Sequence, residues 1–95
     1  MIVRVKIHKR INNDTPLKAI VSVSFDDAFV IHDIKLIKTD KSEFLDMPSH
    51  TVKDKNGSDV RRDVVHPLKP EIRKALTKAV VEAYELDTDQ YIAVI

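Results

Sequence analysis

The sequence predicts a small α+β domain in which an antiparallel sheet of four to six strands carries one C-terminal helix. Three observations support this fold class: apolar and polar residues alternate through the first half, a helical repeat of apolar residues lies near the carboxyl end, and an Asn-Gly pair lies between them. A chain of 95 residues can bury a core without disulfides or a structural metal. We therefore expect residues 1–95 to form a single domain.

The strands are predicted by apolar residues at every second position. Val3 to Ile11 alternates apolar residues with a cationic face, and Lys18 to Phe25 continues the pattern. Phe29 to Ile37 has apolar residues at both odd and even positions, which favours an internal strand covered on both faces. Phe44 to Met47 predicts a short fourth strand, and the apolar run Tyr91 to Ile95 is expected to pair in its own sheet or across a dimer. The cationic face of the first strand consists of Arg4, Lys6, His8 and Arg10.

The segment Met47 to Pro67 joins the strands to the helix and contains the only glycine, Gly57. The pair Asn56-Gly57 favours a two-residue hairpin loop, so we expect a protruding two-stranded arm. In that register Asp54 would face Asp59, and the like charges would destabilise the tip by about 0.2–1 kcal/mol.

Pro70 to Glu85 is predicted to be helical because its apolar residues recur at the spacing of one helix face. Pro70 suits the first helical position, and Glu71 interacts favourably with the positive end of the helix dipole. The apolar stripe should pack on the sheet and cover the core, and it consists of Ile72, Ala75, Leu76, Ala79, Val80 and Ala83.

The composition limits the classes of function. There is no cysteine, which excludes disulfides and thiolate metal sites and fits a cytoplasmic protein. The amino terminus interleaves charged and apolar residues, so we expect neither a signal peptide nor a membrane span. Sixteen Lys and Arg against fifteen Asp and Glu give a net charge of only +1. An anionic ligand would therefore need a local cluster of cations.

Histidines offer the only hint of catalysis or metal binding. His32 stands beside Asp33, and His50 and His66 follow, but no nucleophile motif, metal-binding pair or glycine-rich phosphate loop accompanies them. Because successive strand residues point to opposite faces, we expect His32 and Asp33 not to converge on one ligand. We expect no enzymatic activity, cofactor, metal or small-molecule substrate.

Basic residues of the arm and of the helix flank form the better candidate site. Phosphate binding and a solvated loop of mixed charge remain open alternatives, because Asp54, Asp59 and Asp63 interleave with the cations. No aromatic residue lies in the arm, so any nucleic acid there would be contacted mainly through phosphates. The candidate residues are Lys53, Lys55, Arg61, Arg62, Arg73, Lys74 and Lys78.

The segments AFVIHDIKLI, FLDMPS and RRDVVHPLKPEIRKAL, followed by a helix with a tyrosine, resemble the SpoVG family (stage V sporulation protein G) over nearly the whole chain. The matching motifs, in the family's order, are His32-Asp33-Ile34, Met47-Pro48-Ser49, Arg62-Asp63 and His66-Pro67. The resemblance implies a dimeric bacterial α+β protein, linked to septation and developmental control, that binds DNA and RNA without known catalytic activity.

The resemblance also implies that basic residues after the Met-Pro-Ser motif and around the helix bind nucleic acid. Only Arg62 of the arm matches such a residue by position. His50 and Thr51 stand where the family would place a Lys-Arg pair. Lys53, Lys55 and Arg61 are therefore candidates by their local chemistry alone.

Two functions from different classes follow. The leading hypothesis is a homodimeric regulator that binds DNA or RNA with little sequence preference. The alternative is a dimeric protein-interaction module whose basic arm meets an acidic partner, and an enzyme ranks third. The dimer is expected because Phe29 to Ile37 is apolar at both parities and because the carboxyl terminus is apolar.

Overall fold

A computed structural model describes all residues, 1–95, and it contains seven strands and one helix. In chain order these elements are β1 (Ile2–Arg10), β2 (Leu17–Phe25), β3 (Phe29–Lys38), β4 (Glu43–Asp46), β5 (Ser49–Lys53), β6 (Asp59–Asp63), α1 (Pro70–Glu85) and β7 (Gln90–Val94). Five strands form one antiparallel sheet in the order β4-β3-β2-β1-β7, and β5 pairs only with β6. The predicted α+β fold class is confirmed.

The core lies between one face of the five-stranded sheet and the apolar stripe of α1. Val3, Val5 and Ile7 of β1 are buried against the helix, as are alternate residues of β2. From the helix, Leu76, Ala79, Val80 and Ala83 are buried, whereas Ile72 and Ala75 are only half-buried at the rim. The helix is too short and too polar to cross a membrane.

The carboxyl terminus joins the sheet as the partner of β1. The register places Val5 opposite Tyr91 and Val3 opposite Ala93. The amino group of Met1 donates to the carbonyl of Ile95 at 2.7 Å. The apolar terminus therefore pairs within its own sheet, but β7 remains an edge strand.

Tyr91 also ties β7 to the helix. Its hydroxyl donates a hydrogen bond to the carboxylate of Glu82, one helical turn beyond Lys78. This hydrogen bond, together with partial burial and the negative charge of Glu82, raises the pKa of Tyr91 above its ordinary value.

A β-bulge in β1 overturns the predicted position of Arg10. The register shifts between Ile7 and Lys9, so Arg10 pairs with the buried Ala19 and lies on the helix side of the sheet. Its guanidinium donates to the carbonyls of Tyr84 and Thr88 at 3.1 and 2.9 Å. The last turn of α1 has no basic residue of its own, so Arg10 supplies the cation that the negative end of the helix dipole favours.

A second bulge, in β3, overturns the expectation that His32 and Asp33 face opposite sides. Ile31 pairs with Val23 and Ile34 pairs with Val21, so two residues of β3 stand opposite one residue of β2. Asp33 has a positive φ of 60°, a conformation that aspartate tolerates better than most residues. Both His32 and Asp33 therefore lie on the face away from the helix. β3 is internal as predicted, but residues after the bulge face the opposite side of the sheet from the one that strict alternation predicts.

The turn between β2 and β3 is built without glycine. Asp26 and Asp27 both have positive φ values, 51° and 53°. The Oδ1 of Asp26 accepts the backbone N–H of Ile2 at 2.7 Å, and Asp27 pairs with Arg4 at 2.8 Å. Aspartates thus form the turn and also attach it to the first strand.

The arm between residues 47 and 67 contains the paired strands β5 and β6, here called the ribbon, but the predicted two-residue loop is wrong. Lys53 stands opposite Asp59, and residues 54–58 form the connection. The Oδ1 of Asp54 accepts the backbone N–H groups of Asn56 and Ser58 at 2.8 and 2.9 Å, and Gly57 adopts a left-handed φ of 77°. These side-chain bonds favour the wider loop, and an ion pair replaces the expected repulsion.

Candidate nucleic-acid interface

The ribbon divides the predicted basic residues between its two faces. The register sets Thr51 opposite Arg61 and His50 opposite Arg62. Because side chains alternate along a strand, Lys53 and Arg61 share one face while Arg62 lies on the other. The sequence could not reveal this division, because it depends on the register of the loop.

Two of the ribbon's cations are already paired with carboxylates. The Nζ of Lys53 lies 3.1 Å from a carboxylate oxygen of Asp59. The guanidinium of Arg61 lies 3.8 Å from Asp46 and donates to the hydroxyl of Ser49 at 2.7 Å. These surface ion pairs are weak, so a phosphate could displace the carboxylates. Each cation would first have to give up its present carboxylate partner.

The other two cations of the ribbon form no salt bridge. Lys55 lies in the exposed loop at the tip, and Arg62 is exposed on the middle of β6. The cross-strand neighbour of Arg62 is His50 and not an acid. Arg62 is therefore the ribbon residue whose geometry and sequence position both favour phosphate binding.

The helix contributes a second group of cations. Arg73, Lys74 and Lys78 line a groove between α1 and the edge strand β4, together with Glu43 and Phe44. Lys78 approaches Glu82 at 4.0 Å, whereas Arg73 and Lys74 form no salt bridge. The groove thus brings the three predicted helix residues together, with one carboxylate at its β4 edge.

Strand β4 connects the ribbon to this groove. Asp46, at the end of β4, pairs with Arg61 of the ribbon, while Glu43, at its start, lines the groove. Four strand residues span about 10 Å, so Arg61 and the groove lie near the two ends of β4. Arg62 lies on the other face of the ribbon and Lys55 at its tip, away from this strand.

Family membership follows from comparison with known proteins. The SpoVG family profile matches residues 1–86. The chain belongs to the SpoVG family. A septation protein SpoVG of Caldicellulosiruptor saccharolyticus is 43% identical over 77 residues, covering 81% of this chain and 83% of that protein. The Finegoldia magna septation protein SpoVG is 45% identical over 82 residues, covering 86% of this chain and 69% of that protein.

Asp46, directly before the Met-Pro-Ser motif, is expected from the sequence to put an acid near the candidate site, and the structure identifies Arg61 as its partner. Asp46 is the last residue of β4, and it lies fifteen positions from Arg61 in the sequence. Only the return of β6 alongside β5 brings the two residues together.

Proposed function

We propose that this SpoVG-family chain is a nucleic-acid-binding regulator that acts in the cytoplasm in septation or sporulation control, by binding and not by catalysis. The relatives named as septation proteins support the biological process. The observation that carries the binding role is a set of surface cations without carboxylate partners on the arm and the helix of a chain with a net charge of only +1. This group consists of Lys55, Arg62, Arg73 and Lys74.

Phosphates are the ligands that this arrangement favours. Arg62 is attached to β6 and Arg73 and Lys74 to α1, whereas Lys55 lies in the loop of the arm, and all four are surface residues that can approach a phosphate backbone. Their planar and point-like charges suit phosphate oxygens, and the ribbon has no Phe, Tyr or Trp side chain for base stacking. Binding should therefore be electrostatic and only weakly dependent on sequence.

The functional unit that we propose is a homodimer. β7 is an edge strand, and its Ile92 and Val94 are 56% and 79% exposed. Edge pairing of β7 with its symmetry mate would extend the sheet, satisfy unpaired backbone groups and bring these side chains beside their counterparts in the second copy. The β4 sides of both copies would stay free, so that two sites could bind one nucleic acid.

A protein-interaction module is the second candidate. Its support is the exposed apolar residues Val64 and Leu68, which are 63% and 90% exposed beside the base of the ribbon. Together with the basic ribbon they would suit a partner that combines an apolar anchor with acidic residues.

Mobility-shift titration across a salt series tests the proposed function. We expect the wild-type chain to shift duplex DNA and RNA of unrelated sequence, with log K falling linearly as log salt rises. No shift at low salt and at tens of micromolar protein would contradict nucleic-acid binding. In that case an acidic peptide with an apolar anchor becomes the ligand to test.

A further inference from the structure

The face of the five-stranded sheet opposite the helix, here called the open face, is covered by no element of the chain. Val30 and Ile92 are 45% and 56% exposed there, and the cationic positions of β1 up to the bulge are exposed beside them. The fold does not need this face, because its core is complete on the other side.

A depression in the open face is lined by five polar side chains, none of them a carboxylate, and by Val5, Val30, Tyr91 and Ile92. It has a volume of about 250 Å³. Arg4, which borders it, is already paired with Asp27, so Lys6 is its free cation. Donors without an opposing acid favour an anionic group such as a phosphate. The donors that line it besides Arg4 are Lys6, Ser22, Ser24 and Gln90.

Two imidazole rings stand beside this depression because both bulges lie next to Ser22. The ring centroids of His8 and His32 are 6.4 Å apart and the rings are tilted by 52°. The Nε2 of His8 lies 2.8 Å from the hydroxyl of Ser22, which fixes the ring. Bulges commonly re-aim side chains at functional positions. Here they place two planar rings on one side of an otherwise regular sheet, with Asp33 as the adjacent acid.

We propose that the open face binds single-stranded nucleic acid, with phosphate held by Lys6 and the hydroxyl of Ser24 and bases stacked on His8 and His32. Flat sheets with planar side chains suit splayed bases, which aromatic rings can stack regardless of sequence. A duplex keeps its bases inside and offers the flat face only phosphates. This site deepens the proposed function, on which it rests, and assigns single strands and duplexes to different sides of the molecule.

The test compares a labelled 12-nucleotide single strand, as RNA and as DNA, with the matching duplex by fluorescence anisotropy. We expect His8→Ala/His32→Ala to weaken single-strand binding at least tenfold, and duplex binding less than twofold. Arg62→Ala on the ribbon serves as the matched control and should have the opposite selectivity. Lys6→Gln keeps both rings and should lower the single-strand salt slope by about 0.7.

His32→Ala alone protects the test against misfolding, because His32 is exposed and its side chain forms no hydrogen bond. It should still weaken single-strand binding at least threefold. Unchanged single-strand affinity in both histidine variants would overturn the inference. So would a wild-type dimer that dissociates in the histidine variants, because a second copy would then cover the face.

A mononucleotide ligand distinguishes binding of a nucleic-acid strand from binding of any small anion. Adenosine monophosphate should bind at least a hundredfold more weakly than the 12-nucleotide strand, and equal affinity would contradict the inference. If the wild type binds duplex but no single strand, the open-face inference fails while the proposed function stands. If it binds neither, both fail.

Discussion

The sheet with its helix and the ribbon follow different physical rules. In the five-stranded sheet, β1, β2, β3 and β4 each contribute buried side chains to the core, whereas no residue of β5 or β6 is buried. The ribbon's strands instead present Lys53, Arg61 and Arg62 to solvent. Under the proposed function, stability resides in the core and duplex binding in surface cations such as those of the ribbon, so substitutions should separate the two properties.

The largest expected effect lies in the core. Leu76 is 2% exposed between α1 and the sheet, so Leu76→Ala should lower the free energy of unfolding by about 2–5 kcal/mol. Leu68→Ala is the matched control, since Leu68 is 90% exposed and its loss should change stability by no more than about 0.5 kcal/mol. Urea denaturation monitored by circular dichroism measures both. Equal losses would mean that the helix does not cover the core.

A smaller effect is expected where β1 meets the end of the helix. Arg10→Ala removes the donors to the carbonyls of Tyr84 and Thr88 and should destabilise the fold by about 1–3 kcal/mol. Lys9→Ala, at the neighbouring exposed position, should be neutral within about 0.5 kcal/mol. If the two variants unfold at the same urea concentration, Arg10 does not stabilise the helix end.

Substitutions in the ribbon should affect binding and leave stability nearly unchanged. Replacing Lys53, Arg61 and Arg62 together by Ala should weaken binding to a similar extent for all DNA and RNA sequences. Each change should alter the free energy of unfolding by no more than about 0.5 kcal/mol. A variant that folds and associates normally but binds with unchanged affinity would shift attention to Arg73, Lys74 and Lys78.

The smallest effect concerns alkaline pH. The pKa of Tyr91 is raised in the folded protein. The stabilisation from its hydrogen bond to Glu82 is therefore fully present below the unfolded tyrosine pKa of about 10, and it is lost as the pH rises through the folded pKa. Tyr91→Phe should therefore flatten the fall of stability above pH 10. Urea midpoints at pH 8 and pH 10.5 measure the difference. An identical pH dependence in both proteins would contradict this role for the hydrogen bond.

Periodicity predicted the regular parts of the fold. The helix begins at Pro70 and ends at Glu85 as expected, and the strands of the main sheet differ by one residue or so at their ends. Period-2 and period-3.6 patterns succeed here because each element buries one face against the same core.

The bulges and the loop register could not be predicted from the same patterns. A bulge inserts one residue into a strand, and every later side chain then changes face, as Arg10 and Asp33 do. The tip of the ribbon was mispredicted because the side chain of Asp54 bonds two backbone groups of the loop, which outweighs the hairpin preference of Asn56-Gly57. Such errors matter most at the candidate sites, where the sheet face on which a side chain lies determines which ligands it can contact.

The proposed function requires that the unpaired cations Lys55 and Arg62 of the arm contact phosphates directly. The most direct measurement is the slope of log K against log salt for duplex DNA with two double variants that lose the same charge. Lys55→Ala/Arg62→Ala should reduce the slope by about 1.8 per bound chain, and Lys6→Ala/Lys9→Ala, on β1, should leave it unchanged. Equal slopes for the two variants would contradict the account, because binding would then depend on net charge and not on the ribbon.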